Sequence, residues 1–204
     1  MLFEDTYRTI TSNFEGSYKE KGSKFIAFAL PSKNEAEVKK HLEGLRKKYY
    51  DARHHCYAYR LGTDKSATRM NDDGEPSGTA GRPIFGQILS NDLTNILIVV
   101  IRYFGGTKLG VSGLINAYKT ATKDALENTR IVTKTIKDIY GVDFKYERMN
   151  NVMKIIKDEN LNMLESRFEM DCSIKFEVRK KCSQAIYEKF SKINNLKIKY
   201  LYTN

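Results

Sequence analysis

A chain of 204 residues with 41% hydrophobic side chains carries enough apolar material for one large or two small cores. Its 35 Lys and Arg against 25 Asp and Glu leave a net charge of +10, which favours anionic partners: nucleic acid, ribosomes or acidic surfaces. Three cysteines, odd in number and without a C-x-x-C pair, argue against a disulfide framework or a cysteine-rich zinc site; MLFEDTYRTI lacks a leader pattern and no apolar run approaches ~20 residues, so the expectation is a soluble cytoplasmic chain with no membrane partner.

The charge is spread along the chain. Residues 1–130 carry 20 basic and 15 acidic groups and residues 131–204 carry 15 and 10, so each part is +5. Tyr7 to Ile10 reads as a first edge strand. Ser17 to Ala29 reads as a hairpin turning at Lys21, Gly22 and Ser23, with Lys19, Lys21 and Lys24 around the turn. Ser32 and Glu35 have capping-box spacing for a helix whose apolar face is Val38, Leu42, Leu45 and Tyr49. Its other face carries Lys39, Lys40, Lys47 and Lys48.

The run from His54 to Tyr59 reads as a strand, on which His54 and Cys56 share a face and His55 points the other way. Two ligands are too few for zinc, so His55 is read as structural and His54 is held as a candidate. NDDGEPSGTAGRP, residues 71–83, then gathers Asp72, Asp73 and Glu75 among glycines. Such carboxylates can bind a divalent cation or act as acid and base. The alternative is a tight loop that caps a helix starting between Thr79 and Pro83 and running to Leu89, and composition favours it slightly.

Thr94 to Tyr118 is the central stretch. An unbroken apolar run, Ile96 to Ile101, reads as a strand buried on both faces. Arg102 follows, then glycines at 105, 106, 110 and 113, then Leu114, Tyr118, Ala121 and Ala125 at helical spacing. Strand, glycine loop and helix N-terminus can cradle an anion, with Arg102 at the entrance and Lys108 in the loop. The nucleotide-binding loop pattern fails, because Val111 and Ser112 stand where Lys and Ser or Thr are needed. A sharp turn that merely needs left-handed glycines explains the stretch about as well.

From 131 onward the pattern changes. Residues 131–144 alternate as one strand, apolar on one face except at Asp138. A helix over Met149 to Ile156, strands over Leu161–Phe168 and Cys172–Val178, a helix over Cys182 to Phe190 and a strand over Leu196–Tyr202 complete β-α-β-β-α-β, the ferredoxin-like order. The helices would cover one sheet face and leave the other open, with Tyr200 and Tyr202 as candidate base-stacking aromatics. The boundary is placed between 131 and 132.

NDDGEPSGTAGRP and VVIRYFGGTKLGVSGL, residues 99–114, together resemble the two signatures of the IMPACT/YigZ family, and the likeness extends to KGSKFIA at 21–27 and DARHHCYAYR at 51–60. Ser112 departs from it, standing where bacterial members typically carry glycine. The resemblance covers almost the whole chain in the bacterial two-domain form. It implies an α+β chain: an N-terminal sandwich of the ribosomal-protein or elongation-factor-G domain IV type over 1–131, then a ferredoxin-like domain resembling elongation factor G domain V over 132–204. It also implies a site at His54, Asp72, Asp73, Glu75 and Arg102. The eukaryotic relatives regulate translation by competing for an activator of a stress-responsive initiation-factor kinase.

The functional expectation is a non-enzymatic, translation-associated regulator that binds RNA or the ribosome through Arg102, Gly105, Gly106, Lys108, Gly110 and Ser112. A hydrolase acting on a nucleotide or phosphate ester through His54, Asp72, Asp73, Glu75 and Arg102 is the alternative. A protein-interaction adaptor in translational stress control is the second. No cofactor and no resident metal are expected.

Overall fold

The computed structural model describes residues 5–204. They form two compact units, Tyr7–Lys134 and Thr135–Asn204, the latter together with the segment up to Thr6.

The first unit is laid out as β1 (Thr6–Ile10), β2 (Phe14–Glu20), β3 (Ser23–Pro31), α1 (Glu35–Lys48), β4 (His54–Leu61), β5 (Ala67–Asn71), α2 (Gly81–Ser90), β6 (Ile96–Tyr103), α3 (Gly110–Glu127) and β7 (Ile131–Thr135). Five strands make an antiparallel sheet in the order β2-β3-β6-β4-β5, and β1 pairs with β7 separately. The apolar run is β6, the middle strand, and every residue from Ile96 to Ile101 is fully buried. It is apolar on both sides because both sheet faces are covered. Ile96, Ile98 and Val100 meet α2 and α3 through Ile84, Ile88, Leu114 and Tyr118. Leu97, Val99 and Ile101 meet α1 through Val38, Leu42, Leu45 and Tyr49. Burying six such side chains is worth roughly 12 kcal/mol of transfer free energy before conformational entropy is set against it.

Three local expectations are corrected. The cap of α1 is Asn34, not Ser32: its Oδ1 accepts the Glu37 N–H at 2.9 Å, and the Glu37 carboxylate accepts the Lys33 N–H at 2.7 Å. The reciprocal box is thus built two residues downstream of Ser32, whose hydroxyl is buried against the Leu30 carbonyl. β5 had no counterpart in the sequence reading, because an exposed edge strand carries no burial pattern. Residues 131–144 are two strands rather than one. At Ile136 the backbone leaves β7, donates its N–H to the Asp5 carbonyl at 2.7 Å, and enters the second sheet.

The second unit runs β8 (Lys137–Lys145), α4 (Met149–Asp158), β9 (Asn162–Arg167), β10 (Asp171–Arg179), α5 (Ser183–Ser191) and β11 (Leu196–Thr203). Its sheet has the antiparallel order β11-β8-β10-β9. Tyr140, Val142, Phe144, Cys172, Ile174, Phe176 and Val178 share the face that packs on Val152, Ile156, Ile186 and Phe190 of the helices. The alternate residues lie on the helix-free face. Asp138, which interrupts the apolar pattern, accepts a 2.6 Å hydrogen bond from the Thr203 hydroxyl, offsetting part of the cost of its burial. The two candidate aromatics part company. Tyr200 packs edge-on against Tyr140 at 5.7 Å, whereas Tyr202 has the Lys175 ammonium 5.7 Å from its ring.

Candidate functional site

The acidic stretch becomes a site through its turn chemistry. Past β5, the Asn71 side chain accepts the Asp73 N–H at 2.7 Å, and Asp73 and Gly74 both take left-handed backbone at φ 41° and 85°. That reversal points three carboxylates in three directions. Asp72 turns toward α2 and accepts the N–H groups of Gly78, Ala80 and Gly81 at 2.9, 3.0 and 2.8 Å. The helix begins on Ala80, which has no side-chain cap of its own, so Asp72 supplies it from eight residues upstream. Burial pulls the Asp72 carboxyl upward, but the three backbone donors together outweigh it and hold the group below its ordinary range.

Asp73 turns to β4. Its carboxylate accepts the His55 N–H at 2.7 Å and lies 3.5 Å from the Arg46 guanidinium. Its carbonyl meets His54 Nδ1 at 2.9 Å. A carbonyl can only accept, so Nδ1 carries the proton and the neutral ring keeps its lone pair on Nε2. His55 is buried on the opposite face with Tyr57 and Tyr59, and burial holds its imidazole below the ordinary value although Asp73 pulls the other way.

Glu75 turns inward. One carboxylate oxygen accepts both Arg102 Nη1 at 2.6 Å and the Tyr118 hydroxyl at 2.9 Å. The side chains of Arg102 and Glu75 are only 6% and 4% exposed, so this is a desolvated ion pair. The guanidinium lies between the rings of Phe25 and Phe104, 5.5 and 5.6 Å from their centres. Nη2 reaches the Ser23 hydroxyl at 3.5 Å, and the same oxygen accepts the Gly105 N–H at 3.2 Å. On the far side of Tyr118, the Cys56 sulfur lies 3.2 Å from the phenol oxygen and 2.9 Å from the Asp72 carbonyl. Burial drives both the Cys56 thiol and the Tyr118 phenol well above their ordinary values, so both stay protonated.

The glycine loop lies at the end of this chain of bonds. Gly105 is there because no side chain fits: a Cβ on it would sit 1.9 Å from the Gly22 carbonyl carbon, in the β2–β3 turn. Gly106 and Gly110 have φ of 88° and 73° and open space where a Cβ would lie. Lys108 and Ser112 are exposed, and the 18-residue helix α3 starts on Leu109 with no side-chain cap.

The predicted residues therefore fall into two groups. His54, Asp72, Asp73, Glu75 and Arg102 are brought together, β4/β6 pairing setting His54 opposite Arg102. Arg102 belongs with this buried set, while Gly105, Gly106 and Lys108 of the loop and Gly110 and Ser112 in the first turn of α3 are exposed. Among the described residues, no three His, Cys, Asp or Glu side chains are placed to hold a metal ion. Ser23 and Tyr118 were not anticipated as members. Tyr118 scanned as one more apolar-face residue of α3, and the only hint was its hydroxyl, which needs a partner when buried.

The Impact N-terminal domain family model matches residues 21–126, more than half of the chain. This chain belongs to the IMPACT family. The match begins at the Lys21 turn and ends in α3, so it encloses both residue groups. Family members similar to it include YigZ of Escherichia coli strain K12, 33% identical over 67% of this chain and 68% of that protein. YvyE of Bacillus subtilis strain 168 is 28% identical over 93% of this chain and 88% of that protein. The crystal structure of a hypothetical protein superposes with a TM-score of 0.73 over 98% of this chain and 99% of that one, at 24% identity, a likeness of fold. Among the described residues no helix is long and apolar enough to cross a membrane.

Proposed function

We propose that this IMPACT-family chain is a non-enzymatic, translation-associated regulator that binds RNA or the ribosome through a basic, glycine-rich surface of its N-terminal unit. One observation carries the reading: the backbone contact between Gly105 and Gly22 joins the glycine loop to the β2–β3 turn. Exposed Lys19, Lys21 and Lys24 flank that turn, and exposed Lys108 follows Gly105 by three residues, just before the uncapped N-terminus of α3. Four ammonium groups and free N–H donors on a loop held by glycine contacts suit a phosphate backbone.

The family's eukaryotic branch and the expected kinship of the two units with domains IV and V of a translocation factor support a place in translation. The helix-free sheet face of the second unit offers a second surface. There Tyr202, Lys175, Lys197 and Lys199 combine an aromatic ring with cations, interleaved with Glu165 and Asp143. The binding reading is preferred to the hydrolase because Asp72 is engaged as a helix cap and the Glu75 carboxylate is engaged by Arg102 Nη1, although Arg102 Nε is buried with no protein partner.

Co-sedimentation with purified ribosomes and subunits over a salt series tests it. Saturable binding should weaken steeply with salt, and Lys21→Glu or Lys108→Glu should flatten the slope by about one phosphate contact each. Salt-independent binding, or full binding by both variants, refutes the reading.

A further inference from the structure

Gly44 sits in the middle of α1, where glycine is the poorest helix former apart from proline. Gly16 and Gly105 have a steric reason to be glycine, since each would drive a Cβ into neighbouring backbone, whereas the helical Gly86 has open space there. Gly44 has no steric reason either, since nothing lies within 4 Å of where its Cβ would be. Its bare backbone instead lines an open groove of about 550 Å³ between α1 and β2. Phe28, Leu30 and Leu45 form an apolar floor, and Asn13 and Glu15 form the far wall.

The α1 side of this groove is positive, with Glu15 opposite it on β2. Lys40, Gly44 and Lys48 follow one another at i, i+4 and i+8, so the two lysines stand a turn above and a turn below the gap. His41 stands beside them. Across α1 as a whole, five cations (Lys39, Lys40, Arg46, Lys47 and Lys48) outnumber three carboxylates (Glu35, Glu37 and Glu43), and among the described residues Lys40 and Lys48 make no ion pair. Lys48 instead hangs over the rings of Phe28 and Tyr49, 5.9 and 5.1 Å from their centres.

We infer that this groove docks an acidic segment of a partner protein, with one large apolar side chain laid over Gly44 and carboxylates on either side reaching Lys40 and Lys48. The missing Cβ admits the apolar group, and the lysine spacing selects its acidic flanks. A nucleic acid fits less well, because its phosphates would leave the apolar floor without a partner. The surface is separate from the glycine loop and rests on none of that loop's residues.

The test uses the full chain and two probes of equal charge: a short acidic peptide containing a leucine and a phenylalanine, and an oligouridylate. Peptide titration should move the amide resonances of Phe28, Lys40, Gly44 and Lys48. Gly44→Gln fills the gap while improving the helix, so it should raise the melting temperature by about 3 °C and weaken the peptide at least tenfold. Lys40→Glu with Lys48→Glu should abolish peptide binding, and Lys40→Glu alone should weaken it while leaving melting nearly unchanged. The inference is overturned if the peptide shifts only resonances elsewhere or none, if Gly44→Gln binds it as well as the parent, or if the oligouridylate displaces it from these amides.

Discussion

Replacing Glu75 by Gln keeps the shape of the side chain and removes its charge. Arg102 would then be a cation 94% shielded from water, facing a neutral amide in place of a carboxylate 2.6 Å away. Breaking a buried pair by removing one partner typically costs 3–5 kcal/mol, because the remaining charge stays desolvated. The amide oxygen still accepts from Nη1 and from Tyr118, so the lower end, about 3 kcal/mol, is expected. For a unit the size of Tyr7–Lys134, with an unfolding entropy of about 0.27 kcal/mol/K, that lowers the melting temperature by about 11 °C. Urea unfolding of Glu75→Gln, Arg102→Met and the double variant measures it. The double variant removes both charges and should cost less than the sum of the singles by at least 1.5 kcal/mol. A cost below 1 kcal/mol for either single variant, or strict additivity, would mean that the pair is hydrated in solution and not desolvated as its burial implies.

Five shorter expectations rest on single contacts. Gly105→Ala forces a carbon to within 1.9 Å of the Gly22 backbone, so it should cost about 2 kcal/mol in urea and weaken any ligand of the lysines around the turn; a neutral substitution would deny the contact. Asp72→Ala should lose about 1.5 kcal/mol as α2 loses its cap. Because the folded pKa of Asp72 lies below its ordinary 3.8, its stabilisation is present above that pH and lost as pH falls through the folded value, so Asp72→Asn should flatten the acid limb of a stability-versus-pH curve. The Tyr103 phenol donates to the Asp51 carboxylate at 2.7 Å and is pushed up to about 12 by that bond; ultraviolet titration should find it there, and Asp51→Asn should bring it back toward 10. The imidazole of His55 should titrate below 6.5 by NMR, and a midpoint above that value would mean that burial does not govern it.

The elements legible in the sequence are those whose burial repeats with a period. β6 shows itself because both sides of the sheet are covered, and α1 because one helical stripe meets Leu97 and Val99. The strands of the second unit alternate because only one face is packed. What escaped detection lacks such a period. Ala67–Asn71 is exposed along its length and is a strand only because β4 is there to pair with it. The role of Tyr118 depends on Glu75, 43 residues away, and that of Ser23 on Arg102, 79 residues away, and no local pattern encodes either meeting. The cap of α1 was misplaced for a different reason: Ser32 and Asn34 both have capping chemistry, and the burial of Ser32 against Leu30 settles which one is used.

The signature residues thus do two kinds of work, and the division bears on how function should be pursued. Asp72, Glu75 and Arg102 have the chemistry of a catalytic constellation, yet the bonds just described hold them inside the fold. Loss of function after mutating any of them would report a collapsed loop as readily as a missing catalyst, because Asp72 caps α2 and Arg102 reaches Gly105 through Ser23. The exposed residues have the opposite property. Lys21, Lys108 and Lys40 are exposed, so their reversal should alter binding with little change in melting, whereas Lys48 also covers the buried Phe28 ring. His54 stands between the two classes, its Nδ1 fixed by the Asp73 carbonyl and its Nε2 left as an acceptor. His54→Gln, which keeps a donor and an acceptor but cannot shuttle a proton near neutrality, is therefore the one substitution in the inner group able to separate chemistry from architecture. If the chain only binds, His54→Gln should retain both ribosome affinity and melting temperature; a nucleotide or phosphate-ester hydrolysis present in the parent and lost in His54→Gln would revive the hydrolase reading.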